Sequence, residues 1–196
     1  MPSHYFIENP KILTREREIS VEIFGENLRF LTNNGLFSCE HIDEASLTLV
    51  KTMPPIEGKF LDLGCGYGFI GIALAKKNPI ALTQSDVNSL ALSYAAKNAK
   101  LNDVSAAQIH SNCFEEIMGK FDNIALNPPI HAGKEIMYRM YEESVNFLSP
   151  GGAFFIVIQK KHGAESTIKK LRTVYGNCEI LHKKRGTFVL RCVNDG

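Results

Sequence analysis

One stretch limits the folds open to this chain more than any other. Leu61-Asp62-Leu63-Gly64-Cys65-Gly66-Tyr67-Gly68 is a short apolar run that passes directly into three alternating glycines. Glycines at 64, 66 and 68 let the backbone turn sharply and approach a ligand with no Cβ in the way. Beyond them, Ile72, Leu74 and Ala75 carry a helical pattern, so the loop joins a strand to a helix. Units of this kind build parallel sheets, and ligands gather at the carboxyl ends of their strands where the strand order reverses.

The same alternation runs through the rest of the chain. Phe60–Leu63, Ile80–Thr83, Ala107–His110, Asn123–Leu126 and Phe154–Ile158 read as strands, the last continuously apolar and therefore central. Helices are expected from Asp43 to Met53 with Asp43 as N-cap, from the cap Asn88 to Leu101, over Glu135–Leu148 and over Ala164–Tyr175. Ser149-Pro150-Gly151-Gly152 is expected to break the third of these cleanly. Cys178–Leu181 and Thr187–Leu190, joined by the basic turn His182–Gly186, read as an antiparallel pair. Ahead of all this, Ile19, Val21 and Ile23 alternate with polar residues, Gly25-Glu26-Asn27 is turn chemistry, and Leu28 and Phe30 resume the alternation: a hairpin. The expected division is an N-terminal extension over residues 1–42, a substrate-side cover, followed by an α/β domain over 43–196.

Bulk properties exclude more than they assign. A net charge of +1 argues against a free-standing basic nucleic-acid coat. No apolar run reaches membrane-spanning length, and Met1-Pro-Ser-His-Tyr-Phe has no basic stretch before an apolar core, so no secretory signal is expected. Cys39, Cys65, Cys113, Cys178 and Cys192 are odd in number and include no CxxC pair. They read as reduced thiols of a cytoplasmic enzyme, with neither a zinc site nor a disulfide framework.

The glycine spacing narrows the ligand. A dinucleotide fingerprint is G-x-G-x-x-G, and Phe69 stands where its third glycine would be. The loop reads D-x-G-x-G-x-G instead, which suits a ligand without a phosphate, such as S-adenosylmethionine: Asp62 is placed to meet its ammonium end directly or through water. The second strand ends at Asp86, where a carboxylate accepts both ribose hydroxyls, with Val87 packing on the adenine. At the third strand end, Ser111-Asn112-Cys113-Phe114 is either an adenine-edge contact through Asn112 or an ordinary polar loop.

The fourth strand ends in Asn127-Pro128-Pro129-Ile130-His131. Two prolines fix the backbone and delay any helix, so the turn is rigid at the ligand edge. An amine on a base or an amide has its lone pair delocalised. Two acceptors, the Asn127 side-chain carbonyl and the Pro128 backbone carbonyl, hold its hydrogens, localise the lone pair and align it for in-line displacement.

At these residues the sequence resembles the class I S-adenosylmethionine-dependent methyltransferases. Within them it is similar to the small-domain family related to the ribosomal small-subunit RNA guanine-N2 methyltransferases. The matching segments are Gly35-Leu36-Phe37-Ser38, Ile42-Asp43-Glu44-Ala45-Ser46, residues 61–71, 85–88 and 127–134, and Ile158 to Ala164. The resemblance implies a Rossmann-like α/β fold, a seven-stranded, mostly parallel sheet with the last strand antiparallel. It also implies cofactor contacts from Phe37, Asp43, Asp62, Gly64, Cys65, Gly66, Gly68, Asp86, Val87, Asn112, Cys113 and Asn127, and no metal. Two departures stand out. Ile130 occupies the position where many amine methyltransferases place a stacking aromatic, leaving Ile130 to pack on a base face and His131 to stack or hydrogen-bond. The larger guanine enzymes also carry an extra N-terminal domain, so RNA recognition here is expected from residues 1–45 or from another protein.

Lys160-Lys161, Lys169-Lys170-Arg172 and Lys183-Lys184-Arg185 are basic clusters. Each reads either as a solvated face or, for Lys160 and Lys161 beyond the fifth strand, as a phosphate contact. The leading expectation is methylation of an exocyclic guanine amine in RNA, ribosomal RNA foremost. The alternatives are a protein glutamine amide, a small-molecule amine, or a cofactor-binding subunit without catalysis, against which the intact Asn127-Pro128-Pro129 argues.

Overall fold

The computed structural model describes residues 15–196; the expected absence of a signal at the amino terminus and the first part of the 1–42 extension lie outside the described residues. Nine strands and five α-helices follow in chain order: β1 (Glu16–Ile23), β2 (Glu26–Asn33), α1 (Glu44–Thr52), β3 (Gly58–Leu63), α2 (Phe69–Lys77), β4 (Ile80–Asp86), α3 (Ser89–Leu101), β5 (Ala106–His110), β6 (Phe121–Leu126), α4 (Lys134–Ser144), β7 (Leu148–Gln159), α5 (Ala164–Tyr175), β8 (Glu179–Lys184) and β9 (Thr187–Val193). β3 to β9 form one seven-stranded sheet in the order β5-β4-β3-β6-β7-β9-β8, and β9 runs antiparallel to both its neighbours. This is the Rossmann-like sheet expected from the sequence. No helix among the described residues is long and apolar enough to cross a membrane.

The apolar run of β7 is buried because helices cover both sheet faces. Phe155 and Val157 point into a core shared with α1, α2 and the hairpin. Phe154, Ile156 and Ile158 point into the opposite core with Met137 and Tyr141 of α4 and Leu171 and Tyr175 of α5. The expected caps are present: Asp43 accepts from the Ser46 amide at 2.7 Å, and Asn88 accepts from Leu90 and Ala91 at 3.0 and 3.3 Å.

Two local expectations are corrected. The hairpin turn is Phe24-Gly25, not Gly25-Glu26-Asn27, because Ile23 already pairs with Glu26. Both turn residues have positive φ, 56° and 80°, the tight geometry that matches strand twist. The Lys77 ammonium lies 4.5 Å over the Phe24 ring, a partner for an aromatic in an unusual backbone state. Second, Ser149-Pro150-Gly151-Gly152 does not follow the helix directly. α4 ends at Ser144, a 3-10 turn over Val145–Phe147 stacks Phe147 on Phe114 at 4.6 Å, and the Ser149–Gly152 run is a bulge inside β7. Phe121 pairs with Leu148 but Asn123 with Ala153, so the extra residues are looped out.

The hairpin is fastened by two asparagines four residues apart, Asn98 in α3 and Asn102 at its C-cap. Asn98 exchanges hydrogen bonds with both backbone groups of Leu31, at 2.7 and 3.0 Å, and Asn102 does the same for Arg29, at 3.1 and 2.7 Å. The two amides take the place of a neighbouring strand along the edge of β2. Asn98 also donates to the Tyr67 carbonyl at 2.9 Å, and Phe30 sets its ring edge-on to Tyr67 and Phe69. The hairpin is thus bonded to the glycine loop itself.

Candidate active site

Strand order reverses between β3 and β6, whose parallel register pairs Leu63 with Leu126. The next residues, Gly64 and Asn127, therefore emerge side by side at the sheet's carboxyl edge, where a ligand crevice opens. A cavity of about 430 Å³ lies there. Gly64, Cys65 and Gly66 after β3, Asp86 and Val87 after β4, and Asn112 and Cys113 after β5 line one side. Asn127 to His131 after β6 and Gln159 and His162 after β7 line the other, and Phe37 and Asp43 close it from the amino-terminal segment. Fourteen of the expected site residues thus meet around one cleft; Asp62, Gly68 and Lys160 do not line it.

The glycine loop holds its shape through carboxylates beneath it. Gly64 and Gly66 have φ of 65° and 56°, the left-handed conformation that glycine adopts at least cost, and this turns the loop toward the cleft. Gly68, with φ of 92°, has a second reason for being glycine: a Cβ there would come within 2.6 Å of the Gln84 amide and 3.2 Å of the Ala95 backbone, so it also serves the packing of loop on helix. Asp62 is fully buried behind the loop, where it accepts from the Gly71 amide at 2.8 Å, and its other oxygen has no hydrogen bond of good geometry among the described residues. Burial pushes its carboxyl up to about 7; the nearby Asp86 charge adds to the rise, and hydrogen bonds from Gly71 and Gln84 oppose it. Asp86 is nearly buried and accepts from the Gly66 and Asn88 amides, each at 2.9 Å, tying the β3 and β4 turns together. Burial also raises the Cys65 thiol, so it sits in the loop as an inert neutral group.

Asn127 is the most constrained polar side chain of the cleft. Its Nδ2 donates to Asp43 Oδ2 and to Ser46 Oγ, both at 2.9 Å. A carboxylate only accepts, so the amide nitrogen must face Asp43, and the amide is oriented by chemistry. Its Oδ1 has no hydrogen-bond partner among the described residues and is left for the cleft. Asp43 Oδ2 caps α1 at the same time. Sequence reasoning missed Ser46, whose only signal was its place three residues after a helix cap. Met140 of α4, although buried, borders the cavity with Ile136. Asn112, exposed at the rim, donates to Glu115 at 3.0 Å. Lys160 lies outside the cavity on the exposed 3-10 turn after β7.

The cleft fits a cofactor such as S-adenosylmethionine. Its volume lies within the range of about 300–1,000 Å³ usual for small-molecule sites, with backbone exposed at Gly64 and Gly66, a carboxylate at the second strand end and apolar walls from Val87 and Met140. Among the described residues no group of His, Cys, Asp or Glu is arranged to hold a metal ion.

Comparison with known proteins gives the arrangement a family. The methyltransferase small domain family matches residues 27–191. A Bacillus subtilis protein, "Uncharacterized protein YbxB", is 33% identical over 97% of this chain and 98% of its own length. The ribosomal RNA small subunit methyltransferase C of Vibrio cholerae is 31% identical over 85% of this chain, and this chain spans 50% of that protein. Among solved structures, the T. thermophilus 16S rRNA N2 methyltransferase RsmC, in complex with AdoMet and guanosine, superposes with a TM-score of 0.82 at 27% identity, over 91% of this chain and 50% of that one. The chain therefore spans about half the length of these ribosomal RNA methyltransferases. With a family match over most of its length, and with a cleft that fits the cofactor, the chain belongs to the methyltransferase small domain family and is an S-adenosylmethionine-dependent methyltransferase.

Proposed function

We propose that the protein methylates the exocyclic amine of a planar acceptor, guanine N2 in ribosomal RNA foremost. The observation that carries this reading is the held amide of Asn127: Asp43 and Ser46 occupy its nitrogen, so its carbonyl is the group offered to an acceptor. S-adenosylmethionine supplies an electrophilic methyl on a sulfonium. The Asn127 Oδ1 and the Pro128 carbonyl accept the two amine hydrogens and hold the nitrogen lone pair in line. Pro129 fixes the turn, Ile130 packs on the face of the base, and His131 borders it. The Asp86 carboxylate receives the ribose, Phe37, Val87, Asn112 and Cys113 surround the adenine end, and the buried Asp62 supports the loop. The proton lost from the product leaves to solvent.

In this reading residues 1–42 are the substrate-side cover of a catalytic domain over 43–196, and loop 34–37 is the part that reaches the cleft. Ribosomal RNA as partner is supported by the relatives' names and by the guanosine bound in the similar structure; a cytoplasmic place of work is part of the same proposal. Methyl-labelled S-adenosylmethionine incubated separately with deproteinised ribosomal RNA, transfer RNA and cell protein tests it. Label is expected in ribosomal RNA and recovered as N2-methylguanine after digestion. Asn127→Ala is expected to abolish transfer with cofactor affinity retained. Label confined to protein would favour a glutamine-amide acceptor and end the RNA reading.

A further inference from the structure

The net charge of +1 conceals an uneven distribution. Residues 157–190 hold eight of the 22 Lys and Arg residues but only two of the 21 Asp and Glu residues, a net +6, leaving −5 on the rest of the chain. Two of these basic groups, distant in sequence, converge at the cleft. β7 and β9 pair antiparallel with Gln159 opposite Thr187, and the Lys160 amide donates to the Gly186 carbonyl at 2.7 Å. The 3-10 turn Lys160–His162 therefore lies against the tip of the β8–β9 pair, whose turn is Arg185-Gly186 and not the expected His182–Gly186, because Lys183 and Lys184 already pair with Phe188 and Thr187 at the end of β8. All five cations are exposed, while Gln159 and His162 within the same turn line the cavity.

We infer that Lys160, Lys161, Lys183, Lys184 and Arg185 form a rim that grips the phosphate backbone of the RNA whose base enters the cleft. The inference rests on the RNA reading above and adds the surface that holds the strand. None of the five has an ion pair among the described residues, whereas Lys76, Lys97 and Arg139 elsewhere are paired at 3.1, 3.5 and 2.7 Å. Lys183 lies 5.3 Å over the Phe188 ring, a contact that leaves its charge uncompensated; cations without ion pairs gathered beside a binding cleft are free to replace a polyanion's counterions. Among the described residues the rim has no apolar anchor: the exposed large hydrophobic side chains, Phe24, Phe37, Leu90, Met118 and Ile180, all lie outside residues 160–162 and 183–186. A protein partner would need such anchors, and so would a membrane surface; a phosphate backbone needs only charge and reach.

The test uses the full chain and two multiple variants, Lys160→Ala/Lys161→Ala and Lys183→Ala/Lys184→Ala/Arg185→Ala. These side chains are exposed, and unchanged thermal melts and cofactor affinity will show that fold and cofactor site are intact. Binding of a fluorescently labelled single-stranded RNA of mixed sequence is measured across a salt series, and KM for deproteinised 16S ribosomal RNA is measured beside it. Each lost phosphate contact is expected to raise the RNA Kd about fivefold at ~0.1 M salt and to flatten the log–log salt slope by about 0.7. KM for RNA rises accordingly with little change in kcat. Lys51→Ala/Lys59→Ala, exposed cations at the end of α1 and at the amino end of β3, neither of which lines the cavity, serves as control and leaves both measurements unchanged. If wild-type protein labels RNA and the rim variants match it in Kd, slope and KM, the rim is overturned and the RNA reading stands. If wild-type protein labels no RNA, both fall. Rim variants that lose transfer to a protein instead overturn the rim as a phosphate grip.

Discussion

A side-chain amide has nearly the same shape either way round, so what it offers a substrate depends on what holds its other end. At Asn127 that is Asp43, aided by Ser46. Asp43→Ser tests this, because serine still caps a helix but is too short to hold both the Ser46 amide and Asn127. The expected result is a kcat lower by roughly 10- to 100-fold, the loss of an orienting charged hydrogen bond worth about 1.5–3 kcal/mol, with cofactor Kd unchanged. A cofactor Kd that rises instead would return Asp43 to the cofactor-contact role the resemblance implies. Asp62 gives a different prediction. Its carboxyl rises from its ordinary 3.8 to about 7 in the fold, so between these values the folded chain binds the extra proton and stability falls as pH rises. The full effect is on the order of 4 kcal/mol. Thermal melts of cofactor-free protein from pH 5 to 8 should fall by several degrees, and Asp62→Asn should flatten that slope. Equal slopes in the two proteins would remove Asp62 as the cause. The sequence showed which residues crowd this edge, because glycines and prolines announce turns. It did not show that Asp62 faces away from the cavity, since a strand's last residues alternate faces and only the packing decides which face meets ligand.

At the scale of elements, the hairpin and the glycine loop share one side chain. Asn98 satisfies both backbone groups of Leu31 and the carbonyl of Tyr67, and it is wholly buried. Asn98→Ala leaves one buried and two partly buried backbone groups without partners, and a loss of about 1–3 kcal/mol is expected, read as a lower melting temperature in calorimetry. Cofactor affinity should fall as well, because the Tyr67 carbonyl anchors the loop; full affinity in the destabilised variant would show the hairpin to be independent of the site. Helix starts were legible from their caps, Asp43 and Asn88, and strands from their alternation. The clamp was not, because an asparagine inside a helix reads as a weak helix former until the strand it faces is known. The β7 bulge was hidden for a similar reason: Ser-Pro-Gly-Gly looks like a terminator, and only pairing with β6 and with Asn194 keeps it inside the strand.

For the molecule as a whole, sheet order was legible from the resemblance and from the strand–helix alternation, whereas charge placement was not. Lys160 and Lys183 are far apart in the chain, and only the antiparallel return of β9 brings the 3-10 turn and the tip of the β8–β9 pair together. The result is a positive lip on a chain whose remaining sequence is negative. Such an asymmetry exerts a torque as well as a pull. Physiological ionic strength confines exposed charges to a reach of about 8 Å, so the field is felt only during the last approach to a polyanion. Within that distance the attracted lip turns the protein cleft first, while negative surface that comes equally close is repelled. The rim's contribution would then appear in the fraction of collisions that begin in a usable orientation, and it would fade with added salt before the chemistry itself is touched.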